Sequence, residues 1–173
     1  VELDIIASCQ KWAKEYVLAL DLCPFASEPI NQDLITWHIV EDLNNIDQAL
    51  EKFFRGGKST TFFILREAQN FDYFLDILAL TNQLIEALDY AEELTLVSFH
   101  PLHQYEGSEA SDTVNYANRA PYPMVQVLRN QELEDLGMND EWRRKILDRN
   151  EEVLSKIGSD TLNKMLDGYR GKN

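Results

Sequence analysis

The order of patterns along the chain predicts an α/β fold. A small, mainly parallel sheet of three to four strands would be packed by helices, with a helical C-terminal part. Three observations carry this. Short apolar runs at residues 34–40, 60–65 and 94–99 have the length and composition of strands. Each is preceded by a segment whose apolar residues recur at helical spacing. Strands that alternate with helices favour a sheet linked by crossovers, hence parallel neighbours. Neither an internal repeat nor a long linker interrupts the 173 residues, so residues 1–173 are expected to form a single α/β domain.

Taken in order, residues 2–20 place Ile5, Ile6, Cys9, Trp12, Ala13, Tyr16, Val17 and Leu20 on one helical stripe, with Cys9 in the core. Pro24 disfavours helical geometry at Cys23 and ends that helix. Residues 26–33 read as loop. In the first strand Ile35, Trp37 and Ile39 share a face, and His38 lies opposite as an ordinary satisfied histidine. A short helix at 46–54 stops at Gly56-Gly57. Gly57-Lys58-Ser59 has the letters of a phosphate loop, but Lys52 stands where the pattern needs glycine. The strand and helix are also in the wrong order.

The run 60–65 is continuously apolar, as in a strand covered on both faces. Asn70 is placed to cap a long helix with Asp72 in its first turn. Pro123 to residue 133 reads as a helix with proline at its start. Asn139 caps the next helix, whose stripe of Trp142, Ile146, Val153 and Ile157 is interrupted by Arg149 and Asn150. A last helix covers 160–167, followed by a frayed GYRGKN tail.

Hydrophobic residues make up 45% of the chain and charged residues 27%, as in a soluble globular protein. The longest apolar runs are five or six residues, too short to cross a membrane. The formal net charge of −14 repels nucleic acid and anionic membrane surfaces, so neither is an expected partner. Acidity of this kind ordinarily serves solubility. Oligomeric state is left open. Two cysteines, Cys9 and Cys23, in no paired spacing fit a reducing compartment. The charged N-terminal pattern reads as a folded helix and not a targeting peptide. The expected location is the cytoplasm, or an organelle stroma or matrix where a leader has been trimmed.

The chemistry concentrates in residues 95–129, which gather His, Tyr, Asn, Arg and Pro in a stretch without clear period. With parallel strands, Glu41, Glu67 and His100 leave the sheet at one edge, where open α/β sheets bind ligands. His100 is a candidate general base with Glu67 orienting its ring; the plainer reading has His100 satisfying loop carbonyls. Arg119, between Asn118 and a proline-rich turn, suits a carboxylate or phosphate; the plainer reading pairs it with a neighbouring acid. Tyr122 would donate its hydroxyl or simply pack.

Cys23 is a candidate nucleophile, yet it follows a helix C-terminus, whose dipole disfavours a thiolate. Cys23-Pro24 is a poor haem signal. Cys23, His100 and His103 make a poor zinc set because the two histidines are three apart in a loop. No metal or cofactor is expected.

Four stretches together resemble an uncharacterised family, domain of unknown function 1415. They are Leu22-Cys23-Pro24-Phe25-Ala26, the strand end with Glu67, Ser98-Phe99-His100-Pro101, and Asn118-Arg119-Ala120-Pro121-Tyr122-Pro123-Met124 with Leu128-Arg129. Arg149-Asn150 is a lesser match. The family usually has tyrosine where this chain has His103, serine where it has Ala120 and proline where it has Arg66, which further weakens His103 as a required ligand. The resemblance implies membership and carries no activity. It picks out Cys23, Glu67, His100, Asn118, Arg119, Tyr122, Arg129, Arg149 and Asn150.

Two functions follow as expectations. One is an enzyme acting on a small anionic metabolite: Arg119 and Arg149 bind the anion, His100 moves protons with help from Glu67, and Cys23 lines the pocket or attacks. Asn118, Tyr122 and Asn150 would contact the ligand. The other is a non-catalytic module binding a ligand or protein, in which the same residues form a structural network. An open pocket holding His100 and Cys23 favours the first; burial of both favours the second.

Overall fold

A computed structural model describes residues 2–41, 46–56 and 60–170. The chain forms α1 (Glu2–Trp12), which continues as a π-helical turn (Ala13–Leu18). Then come α2 (Ser27–Asn31), β1 (Ile35–Ile39), α3 (Ile46–Arg55), β2 (Thr60–Ile64), α4 (Phe71–Ala87) and β3 (Leu94–Phe99). A 3₁₀ turn (Thr113–Ala117) leads to β4 (Met124–Arg129), α5 (Asn130–Asp135), α6 (Asp140–Ile157) and α7 (Ser159–Asp167). The two predicted asparagine caps are formed: Tyr73 N–H donates to Asn70 Oδ1 and Trp142 N–H to Asn139 Oδ1, each at 2.9 Å. The Gly57-Lys58-Ser59 stretch and the end of the GYRGKN tail, residues 171–173, lie outside the described residues.

The sheet order is β1-β2-β4-β3. β1 pairs with β2 in parallel, and β4 is antiparallel to both β2 and β3. The fold is therefore α/β with four strands, but the sheet is mixed, with one parallel pair. β1, β2 and β3 still point the same way, and only the inserted β4 runs against them.

β4 occupies the stretch expected to be helical, with a short helix after it. Met124, Val125 and Val127 are fully buried, and a six-residue run carrying two valines fits a central strand. Pro123 sits just before the strand, where it has no ladder bond to donate; its carbonyl accepts from Leu65 N–H at 2.8 Å. Residues 26–33, expected as loop, contain the short α2.

Alternation along the buried β2 separates two helical layers. Phe62 and Ile64 face Trp12, Tyr16, Met124, Leu154 and Leu162, from α1, its π-helical extension, β4, α6 and α7. Phe63 faces the other way, toward Leu50 and Phe53 of α3 and Ile85 of α4. Phe74 and Ile77 of α4 pack on Leu65 and Val125 on that same side. Burying each such side chain contributes roughly 1.5–3 kcal/mol. Tyr169, placed in the expected frayed tail, is instead buried against Tyr16 at 6.5 Å.

Candidate functional site

The carboxyl ends of β1, β2 and β3 and the start of β4 share one sheet edge. Glu41, Glu67, His100 and residues 118–123 leave the sheet there, as the strand directions require. The loop at 100–123 follows from this edge, and four of its polar residues, His100, His103, Asn115 and Arg119, are buried.

His100 is fully buried between Phe71 and Phe74, each with its ring centroid 5.0 Å away. Its Nδ1 accepts from Leu102 N–H at 3.0 Å, which leaves Nε2 to donate to the Ala68 carbonyl at 3.1 Å. Both nitrogens of the neutral ring are thus spent joining the end of β3 to the turn after β2. Burial holds its pKa below the usual histidine value. Glu67 is exposed and pairs with Arg66 Nε at 3.0 Å, so the ring is oriented by Ala68 and Leu102 and not by a carboxylate.

Asn118 donates from Nδ2 to the Ser98 carbonyl at 2.8 Å and accepts from the Tyr105 hydroxyl at 2.6 Å. Arg119 is buried. Its Nε donates to the His103 carbonyl at 3.2 Å and its Nη2 to the Ala110 carbonyl at 2.8 Å, while the guanidinium lies 4.2 Å over the Tyr116 ring. Those contacts take the place of the neighbouring acid expected from the sequence. Tyr122 packs, half-buried, against the main core.

The centre of the loop network is a residue that the sequence reading passed over. Asn115 is fully buried. Its Oδ1 accepts from Tyr105 N–H at 2.9 Å and from Ser108 Oγ at 2.8 Å, and its Nδ2 donates to the Glu109 carbonyl at 2.7 Å.

Cys23, Arg149 and Asn150 form a second set, at the turn that ends the first helix. Asp21 has a left-handed φ of 52° there. Arg149 donates to the Asp21 carbonyl and pairs with its carboxylate at 2.7 Å. Asn150, buried as its place in the stripe requires, donates from Nδ2 to the Leu22 carbonyl at 2.8 Å. Its Oδ1 is buried with no partner among the described residues. Burial pushes the half-buried Cys23 thiol up, against the Phe25 and Ala26 N–H groups that favour the thiolate; the nearby Asp21 raises it further. Arg129 braces a third place. It donates to the Phe53, Phe54 and Gly56 carbonyls at the C-terminus of α3, where a cation meets the negative end of the dipole.

Open surface depressions of 210 and 440 Å³ have neither His100, Arg119, Cys23 nor Asn150 in their lining. One is bordered by Phe54, Glu93, Arg129 and Glu134, the other by Asp4, Lys11, Tyr169 and Arg170. Among the described residues, no three His, Cys, Asp or Glu side chains converge as a metal-binding group, and no helix is long and apolar enough to cross a membrane.

His103 differs from its neighbours. It is buried against Tyr105 at 4.6 Å and Phe71 at 5.9 Å, and neither ring nitrogen has a partner among the described residues. Burial, then Arg119 and His100, push its pKa down to about 4. Below about 6.5 the unfolded chain takes up a proton that the folded chain refuses until about 4, so stability falls as pH drops through that window. His103→Phe keeps the ring contacts and removes this proton uptake. Melting temperatures taken across the window should fall less steeply in the variant than in the wild type. Parallel curves would show that His103 is as accessible to protons folded as unfolded.

The family model described as a protein of unknown function, domain of unknown function 1415, matches residues 4–164. Curated proteins and solved structures give no match. The matched span takes in every strand and the whole of the loop at the sheet edge, and on it the chain belongs to the family domain of unknown function 1415.

Proposed function

We propose that this chain is a non-catalytic protein-binding module, a rigid scaffold in which the residues with chemical potential serve as braces. One observation carries the reading: the fully buried His100 uses both ring nitrogens on backbone partners, Ala68 and Leu102. A general base needs a free nitrogen within reach of a substrate proton. Asn118 and Arg119 likewise bond to carbonyls of Ser98, His103 and Ala110, and Asn150 to that of Leu22.

A second reading, an enzyme acting on a small anionic metabolite, draws on Arg119 and His103. Arg119 is a buried cation held by carbonyls, and His103 beside it has two nitrogens without partners among the described residues. A buried guanidinium with no carboxylate partner among the described residues is where a small anion would settle. The N–H groups that precede β4 offer no helix dipole to reinforce it, since residues 124–129 form a strand.

Thermal shift with phosphate and citrate, combined with iodoacetamide alkylation of Cys23 against pH, separates the two. The scaffold reading expects no saturable rise in Tm and a thiol that alkylates more slowly than free cysteine at neutral pH. A saturable anion-dependent rise, or a Cys23 thiolate already formed below neutral pH, overturns it.

A further inference from the structure

The sheet ends in two edge strands, β1 and β3, and the chain treats them differently. β3 is closed. Asn130 N–H donates to the Glu93 carbonyl, so in the antiparallel ladder the odd residues of β3 bond to β4 and the even ones point away. Those outward groups are met at both ends of the strand. Leu94 N–H donates to the Tyr90 carbonyl at 3.0 Å, and the Ser98 carbonyl accepts from Asn118 Nδ2 at 2.8 Å. His100 N–H then donates to the Asn118 carbonyl at 3.1 Å.

β1 is open. Val40 N–H donates to the Ile64 carbonyl at 2.9 Å, and the Thr36 carbonyl accepts from Thr61 Oγ1 at 3.1 Å. In the parallel register, residues 36, 38 and 40 therefore bond toward β2, and Ile35, Trp37 and Ile39 point their N–H and C=O groups away from the sheet. None of those outward groups has a partner among the described residues. The usual devices that blunt an edge are missing from these five residues: they hold no proline and no lysine, and their register on β2 runs without a bulge. All five are half-buried. Ile35, Trp37 and Ile39 share one face and pack on the rim of the main core, with Trp37 stacked on Phe62 at 4.5 Å.

Charge decides what such an edge accepts. Between Lys14 and Lys52 the chain has no Lys or Arg and eight Asp or Glu. Two of these, Asp33 and Glu41, are exposed and bracket β1. They work against a second copy. The fullest antiparallel pairing of two β1 edges sets Trp37 opposite Trp37 and Ile35 opposite Ile39, and so brings Asp33 opposite Glu41 at both ends. Like charges placed opposite each other destabilise a strand pair. The same carboxylates attract a strand that carries cations at its ends. Lys52 of α3 acts on His38, on the other face of β1, as a single positive charge.

We propose that the free edge of β1 takes up an extended segment of a partner protein, in which apolar residues alternate and Lys or Arg flank both ends. This rests on the reading of the chain as a protein-binding module and gives that module its surface and its partner chemistry. Backbone bonds to Ile35, Trp37 and Ile39 supply affinity. The apolar row selects the alternate side chains, and Asp33 and Glu41 select the flanks.

The probe is the nonapeptide KKVTVTVKK, acetylated and amidated, added to the whole chain. Its three valines fall opposite Ile35, Trp37 and Ile39 in either direction, and its terminal lysines fall beside Asp33 and Glu41. Anisotropy of the labelled peptide should show saturable binding with a Kd between about 10 µM and about 1 mM. Amide exchange read by NMR should slow at Ile35, Trp37 and Ile39 and stay unchanged at Thr36, His38 and Val40, which are already bonded to β2. Glu41→Lys should weaken binding by about tenfold, and the peptide EEVTVTVEE should not bind. Absence of saturable binding overturns the proposal while leaving the scaffold reading, which stands on His100 and Cys23, intact. Binding without the alternating amide pattern overturns it as well, since charge alone would then hold the peptide elsewhere. So does slow exchange of Ile35, Trp37 and Ile39 in the free chain: where it depends on concentration a second copy covers the edge, and otherwise the chain covers it itself.

Discussion

Asn115→Leu should lower the midpoint of thermal unfolding by roughly 10 °C. Leucine is the apolar side chain nearest in shape to asparagine, so the change isolates the polar contacts. Three hydrogen bonds disappear, and Tyr105 N–H and the Glu109 carbonyl lose their partners. Leaving such a group unsatisfied costs roughly 1–3 kcal/mol, and part of the loop is near enough to water to recover some of that. A net loss of roughly 3–4 kcal/mol corresponds to about 2–4 °C per kcal/mol for a chain of this size. Asn115→Asp supplies the control. It keeps an acceptor for Tyr105 and Ser108 but loses the donor to Glu109, so its midpoint should fall between the two. Urea denaturation should show the same order with an unchanged slope. An Asn115→Leu midpoint equal to that of the wild type would mean that the loop is held without its centre, and that the Asn115 network does not order it.

Asn115 escaped the sequence reading for a physical reason. Its partners are 6, 7 and 10 residues away, in a stretch with no period. Nothing local distinguishes it from an asparagine that faces water. Asn70 and Asn139 were legible because a cap is a local event, three residues long and flanked by an apolar stripe. Asn150 was legible for a related reason: a polar residue at a stripe position must be buried or the stripe must be broken. What the periodicity did not carry was the partner, which proved to be Leu22.

The misreading of residues 123–133 has a different cause. A proline followed by a short apolar run suits the first turn of a helix and the start of a strand equally well, and the run is too brief for period to decide. What decides is the gap between β2 and β3, which only a strand can fill by pairing on both sides. That gap is a property of the assembled sheet. The directions of β1, β2 and β3 were nevertheless inferred correctly, because they follow from the intervening helices and not from β4. This is why Glu67 and His100 reach one edge although no bond joins their side chains.

Arg119→Met should lower the midpoint by about 6–12 °C and should do so with or without phosphate. Methionine nearly matches the length of arginine and retains apolar packing over Tyr116, so what is lost is charge and directed bonds. Two charge-assisted hydrogen bonds go, to the carbonyls of His103 and Ala110, together with a cation–π contact at 4.2 Å. At a net value of roughly 1.5–3 kcal/mol for each bond to a charged group, less what water restores at the exposed Ala110, the loss is about 3 kcal/mol. About 2–4 °C per kcal/mol then gives the interval stated. Removing a buried cation also removes its desolvation cost and its repulsion of His103, which offsets part of the loss and should raise the His103 pKa above about 4, while burial, the larger cause, still holds it below the ordinary value. An NMR titration of His103 in the variant reads that second effect separately from stability. Arg119→Lys keeps the charge but not the fork, so it should recover the depressed His103 pKa while leaving most of the midpoint loss. The outcome that would instead make Arg119 a ligand-binding residue is equally definite. The Met variant would melt with the wild type in plain buffer, and only the wild type would gain stability on adding phosphate.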